Sequence, residues 1–129
     1  MLRLVLALQA AYYCATGLWP WISMGTFEAV TGPKTDDWLV QTVGALVVAI
    51  GLALGVAAWK RERSAAVLTL AAASAVAFIL VDVTFVLSGT ILPIYLGDAV
   101  AEAVILIGLV LGAGARRPAS SRIGTRTLL

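Results

Sequence analysis

A chain of 129 residues that is 61% hydrophobic, only 12% charged and +2 in net charge carries about half the charged fraction of a soluble domain. It reads as an integral membrane protein, with a mean hydropathy of +1.01. The single cysteine, Cys14, excludes an internal disulfide. The absence of histidine removes the usual metal and haem ligand and every Ser/His/Asp or Cys/His nucleophile, so neither a metal nor a cofactor is expected.

Four apolar segments follow one another, at about 2–22, 37–59, 64–87 and 91–114, each near the ~20 residues a spanning helix needs. The first has the short charged start and apolar run of a signal peptide. Gln9, Tyr12 and Tyr13 interrupt that run, and the tyrosines before Cys14 are too bulky for lipoprotein processing, so a retained helix is expected. It closes on Trp19-Pro20-Trp21, an aromatic pair suited to the headgroup level. In the connection Ser23–Asp36, Met24–Val30 is expected to form a short interfacial helix with Met24 and Phe27 toward lipid, broken at Thr31-Gly32-Pro33. Thr35 is the expected N-cap of the next helix, with Asp36 and Asp37 at its positive end, Lys34 in the turn and Trp38 as an interfacial anchor.

Lys60-Arg61-Glu62-Arg63 joins the second and third segments and is a topology determinant that can contact lipid. Ser88-Gly89-Thr90 joins the third and fourth. Eight of the nine Lys and Arg residues fall in Arg3, this basic connection and the tail, and Lys34 stands alone on the other side. The positive-inside rule then puts both termini in the cytoplasm. The same placement argues against a nucleic-acid partner despite the basic balance. The expected architecture is an all-α, four-helix up-down membrane bundle over 1–114, with a short interfacial helix in the first external loop and a basic, flexible tail at 115–129. Gly44, Gly51 and Gly55 in the second segment, an alanine-rich stripe around Ser74 in the third, and Gly108 and Gly112 in the fourth predict that these three helices pack closely.

The fourth segment carries Asp98 and Glu102 one helical turn apart, with no base in the segment to neutralise them. Asp82 lies about 9 Å below the outer end of the third helix, and Asp98 about 10 Å below the outer end of the fourth, so antiparallel neighbours bring them level. Gln9, Tyr12, Tyr13 and Thr16 share one face of the first helix; Ser74, Phe78 and Asp82 share one of the third; Tyr95, Asp98 and Glu102 share one of the fourth. Gln41 lies on the stripe that carries Gly44 and Gly51. The expected site is therefore an outward-opening acidic cavity formed by Asp82, Asp98 and Glu102, with Tyr12, Tyr13, Gln9, Tyr95 and Gln41 around them.

Three carboxylates at close quarters in low dielectric cannot all be ionised, so at least one is expected to hold a proton near neutrality. Such a cluster can fasten the bundle through hydrogen bonds, bind a small lipophilic or cationic ligand or protons, or act as acid and base on a lipid-soluble substrate. The ligand-binding reading is the one adopted. An enzyme using the same acids and an accessory subunit packed through its glycine faces remain the alternatives. Membrane lipids are expected partners, with a homo-oligomer or a larger membrane complex left open. Cys14 reads as a small core residue. Glu28 reads as solvated, or as lining the cavity mouth if the interfacial helix folds over it.

The four segments, the aromatic end of the first and the stretch Phe27-Glu-Ala-Val-Thr-Gly-Pro-Lys34 resemble the small DoxX-like four-helix proteins of the bacterial inner membrane. The resemblance implies a multi-pass inner-membrane location. It also implies an association, as an accessory subunit, with quinone-linked thiol or sulfur oxidation. This chain lacks the paired cysteines that redox chemistry of its own would use. Small multidrug transporters share four helices and a membrane glutamate, but theirs lies in the first helix, which has none here. Sterol-isomerase-like membrane proteins resemble the chain in placing acids inside a short bundle.

Overall fold

The structure, a computed structural model, describes residues 1–115. It is all-α, with five helices: α1 Leu2–Ile22, α2 Met24–Thr31, α3 Asp37–Trp59, α4 Ala65–Leu87 and α5 Tyr95–Gly114. The basic tail read from the sequence lies, from residue 116 onward, outside the described residues. Helices α3, α4 and α5 are each long and apolar enough to cross a membrane, which makes this a multi-pass membrane protein. Helix α1 is as long at 21 residues, but Arg3, Gln9, Tyr12 and Tyr13 dilute its apolar character, and it is not one of those three.

The helix ends follow from local chemistry. Ser23 closes α1 in an extended conformation and opens α2, its hydroxyl accepting from the Thr26 amide at 3.3 Å. Gly32 ends α2 at φ +96°, a conformation that favours glycine, and Pro33 follows. The N-cap of α3 is Asp36, without a side-chain capping bond, rather than Thr35. Ser64 caps α4 by accepting from the Val67 amide at 3.3 Å, so that helix starts one residue later than expected. The start of α5 moves further, from 91 to Tyr95. The Pro93 ring disfavours helical backbone at Leu92. The chain enters instead by a tight turn in which the amides of Tyr95, Leu96 and Gly97 donate three residues back, at 3.2, 2.9 and 3.0 Å.

Helix α1 is the hub. It packs most extensively on α3, and it also touches α5, while α4 packs mainly on α5 and barely meets α3. The expected close packing of the three small-residue helices therefore holds for α4 on α5 but not for α3, and the glycines of both α3 and α5 close on α1. A Cβ at Gly17 would lie 2.5 Å from the Gly44 carbonyl oxygen, and one at Gly51 would lie 2.9 Å from the Cys14 sulfur. Gly108 and Gly112 take the side chain of Val5 and the backbone of Leu2. Rising numbers in α1 thus meet falling numbers in α3 and α5, so both run antiparallel to it. Gln9 meets Ala71 and Tyr13 meets Phe78, so α4 runs parallel to α1.

The hub position explains the polarity of α1. Its buried face is Leu2, Leu6, Gln9, Ala10, Tyr13, Gly17 and Pro20, and its polar groups find partners there. The exterior of the bundle is apolar instead, with Leu8, Leu46, Leu52, Leu80, Val104 and Ile107 all exposed. The apolar core, built on Leu6, Ala10, Leu54, Ala71 and Leu109, fills the half of the bundle nearest the start of α1. The other half is hollow.

Candidate functional site

The hollow is a cavity of about 720 Å³ to which all five helices contribute. Its walls are mostly apolar: Val40, Val43 and Val47 from α3, Phe78 and Val81 from α4, and Ile94 before α5. Five polar side chains converge at its inner end: Tyr12 and Tyr13 from α1, Asp82 from α4, and Asp98 and Glu102 from α5. This balance, an apolar chamber of several hundred Å³ with a few convergent polar groups, is that of a small-molecule pocket.

The polar groups form two linked sets. In the deeper one, the Tyr13 hydroxyl donates to a Glu102 oxygen at 3.0 Å. The Gln9 side-chain amide donates both to the Tyr13 hydroxyl at 3.1 Å and to the Ala71 carbonyl at 2.9 Å. Phe78 meets the Tyr13 ring edge to face at 5.6 Å and holds it in place. In the shallower set the Tyr12 hydroxyl donates to Asp98. Asp82 lines the same cavity as Asp98. Asp82 is buried, and its Oδ2 makes no hydrogen bond. The Gln9 Oε1 is likewise buried without a partner. Both unpartnered atoms are acceptors. Among the described residues, no group of three His, Cys, Asp or Glu side chains could hold a metal ion.

Asp82, Asp98, Glu102, Tyr12, Tyr13 and Tyr95 thus all line one cavity. Gln9 sits beneath it as the support of Tyr13. Gln41 is not in the lining: its stripe packs on α1, and its backbone carbonyl accepts from the Trp21 indole at 2.8 Å. Ser74 also stays out of the lining, its hydroxyl turned back onto the Leu70 carbonyl at 2.6 Å.

The mouth differs most from expectation. Phe27 was expected to face lipid. It lines the cavity, with Trp19 packed edge to face on it at 5.5 Å. Lys34, read from sequence as a turn residue, lines the cavity too. Its ammonium donates to the Thr31 and Gly32 carbonyls at 3.1 and 2.9 Å, where α2 ends, and lies 5.3 Å from the Tyr95 ring and 5.8 Å from the Phe27 ring. Glu28 is not part of the lining and instead accepts from the Lys34 amide at 3.2 Å. A cation thus stands at the mouth and carboxyl groups at the floor. The only sequence signal for Lys34 was its isolation from the other basic residues.

No protein-family model, curated protein or solved structure matches the chain, so the likeness to DoxX-like proteins gains no support from these comparisons.

Proposed function

We propose that this is a bacterial inner-membrane protein that binds a small lipophilic molecule carrying a basic group in the acid-floored cavity. In this reading α1 is a fourth span, both termini are cytoplasmic, α2 lies at the outer interface and the cavity opens outward. The bias of basic residues toward Arg3 and the Lys60–Arg63 turn supports that orientation. The observation that carries the function is the buried, unpartnered Oδ2 of Asp82 at the floor of an apolar cavity beside Asp98. A buried acceptor without a donor is costly, and a ligand ammonium at this point satisfies it. The apolar walls supply the rest of the binding energy by taking the ligand body out of water.

The test is calorimetric titration of the protein in nanodiscs with 2-phenylethylamine and with its neutral counterpart 2-phenylethanol. The expected result is at least tenfold tighter binding of the amine, lost in Asp82→Asn and Asp98→Asn. Equal binding of the two compounds, or an amine affinity unmoved by either substitution, overturns the proposal. The orientation is tested separately by labelling a cysteine placed at Thr90 with a membrane-impermeant maleimide, which should react from outside intact cells.

One observation favours a second reading. Asp82, Asp98 and Glu102 line one apolar cavity, and carboxyl groups from two helices facing one chamber are what an enzyme needs to donate and accept a proton on a lipid-soluble substrate. Turnover of such a substrate, abolished by either Asp→Asn change, would distinguish this from binding alone.

A further inference from the structure

The opposite end of the bundle holds a second cavity, of about 830 Å³, lined by Arg3, Arg61, Arg63 and Glu62 above aliphatic side chains that include Leu6 and Leu68. We propose that this cavity binds the phosphate of an anionic phospholipid headgroup, with the acyl chains leaving along its aliphatic side. Three guanidinium groups against one carboxylate make it electropositive, and a guanidinium fork matches phosphate geometry. Two of the arginines are held in place by the fold. Arg3 donates through Nε to the Ala58 carbonyl at the end of α3, and Arg63 donates through Nη2 to the Gly112 carbonyl at the end of α5, each at 2.9 Å. Each bond uses one N–H of the five a guanidinium carries. The start of α1 adds to the field: Leu2 and Arg3 line the cavity, and the N-cap Met1 provides no side-chain cap for the first-turn amides.

The third arginine is the more telling. Helix α3 ends in a Schellman turn: the Glu62 amide donates to the Ala57 carbonyl at 2.8 Å, and the Arg61 amide to the Ala58 carbonyl at 3.2 Å. The residue at the turn, Arg61, has φ +54°, and it is the only residue other than glycine among those described with positive φ. Helix α4 ends in the same way, its Thr90 amide donating to Phe85 at 2.9 Å and its Gly89 amide to Val86 at 3.1 Å, but there the residue with positive φ is glycine. The fold therefore accepts left-handed backbone strain at Arg61 that it avoids at Gly89. What the strain secures is a third guanidinium in the cavity. The aliphatic lining, at the end of a bundle with an apolar exterior, favours a lipid over a free phosphate.

The measurement is native mass spectrometry of the full chain, released from detergent with equimolar phosphatidylglycerol and phosphatidylcholine, and separately with millimolar glycerol phosphate. Phosphatidylglycerol should be retained at least fivefold over phosphatidylcholine. Arg61→Gly should cut that retention at least threefold while leaving the melting temperature unchanged or higher, because glycine suits the turn. Glu62→Gln should raise it. Equal retention of the two lipids, or retention unchanged in Arg61→Gly, overturns the proposal. So does binding of glycerol phosphate without any preference between the lipids, which would make the site one for soluble phosphates.

Discussion

The hydroxyl of Tyr13 donates to the carboxyl of Glu102 at 3.0 Å, and each of these side chains is 1% exposed. The bond joins α1 to α5 where the apolar core gives way to the cavity. In hydrocarbon the bundle cannot rely on the hydrophobic effect to hold its helices together, so a buried polar contact between them counts. Tyr13→Phe removes the donor to Glu102 and the acceptor of Gln9 together. The expected cost is about 1–3 kcal/mol, the range for a buried polar group left without its partner. Tyr12→Phe should cost less, because Tyr12 is only partly buried and faces the open cavity. Thermal unfolding of the two variants in the same detergent gives the comparison; equal losses would mean that the depth of the bond is irrelevant.

Asp82 calls for the opposite result. Its Oδ2 is buried with no partner, so the group costs stability in the empty protein. Asp82→Leu should raise the melting temperature and abolish binding of 2-phenylethylamine in the same preparation. That combination marks a residue retained for function at a cost in stability. A fall in melting temperature would show instead that the acid fastens the bundle.

The sequence carried the long elements well. The bounds of α1 and α3 coincide with the apolar segments at 2–22 and 37–59, because a proline-aromatic end, a Gly-Pro break and a basic turn punctuate the hydropathy at those points. That Asp82 and Asp98 face one cavity was also legible, since helical rise alone fixes depth in antiparallel neighbours. Tyr12 and Tyr13 followed from spacing on one face. Helix partners did not follow: the glycines of α3 and α5 mark close approach but carry no address, and both sets close on α1. The mouth was illegible for a related reason. Helix α2 has eight residues, too few for periodicity to say which way Phe27 faces, and the path that brings Lys34 over Tyr95 is set by one turn at Gly32.

Glycine positions separate packing from propensity. Gly44 and Gly17 meet backbone to backbone, so any side chain at either must push α1 and α3 apart. Gly44→Ala should destabilise by about 1–3 kcal/mol, the usual cost of overpacking. Gly25 in α2 has open space where a Cβ would stand. Gly25→Ala should therefore be neutral or stabilising by up to about 1 kcal/mol through helix propensity. Chemical denaturation of the two variants checks the contrast; a Gly44→Ala protein as stable as the parent would mean that the close approach has room to relax.

Lys34 sets the charge at the cavity mouth. From Tyr95, over which its ammonium lies, to Glu102 is seven residues of helix, roughly 10 Å of rise, so a ligand ammonium at the floor sits roughly 10–15 Å from Lys34. At an effective dielectric near 20, two like charges at that separation repel by about 1–1.7 kcal/mol. Lys34→Met removes the charge and keeps an apolar stem of similar length against Tyr95 and Phe27. It should strengthen binding of 2-phenylethylamine by about tenfold and leave that of 2-phenylethanol unchanged. The ω-amino acid 8-aminooctanoate, whose extended chain is long enough to bring its carboxylate to the Lys34 ammonium while its amine meets the acids, should respond in the opposite sense and bind less tightly to the variant. Titration of the three compounds against parent and variant gives the answer. A uniform change in all three would show that Lys34 acts through the position of α2 rather than through its charge.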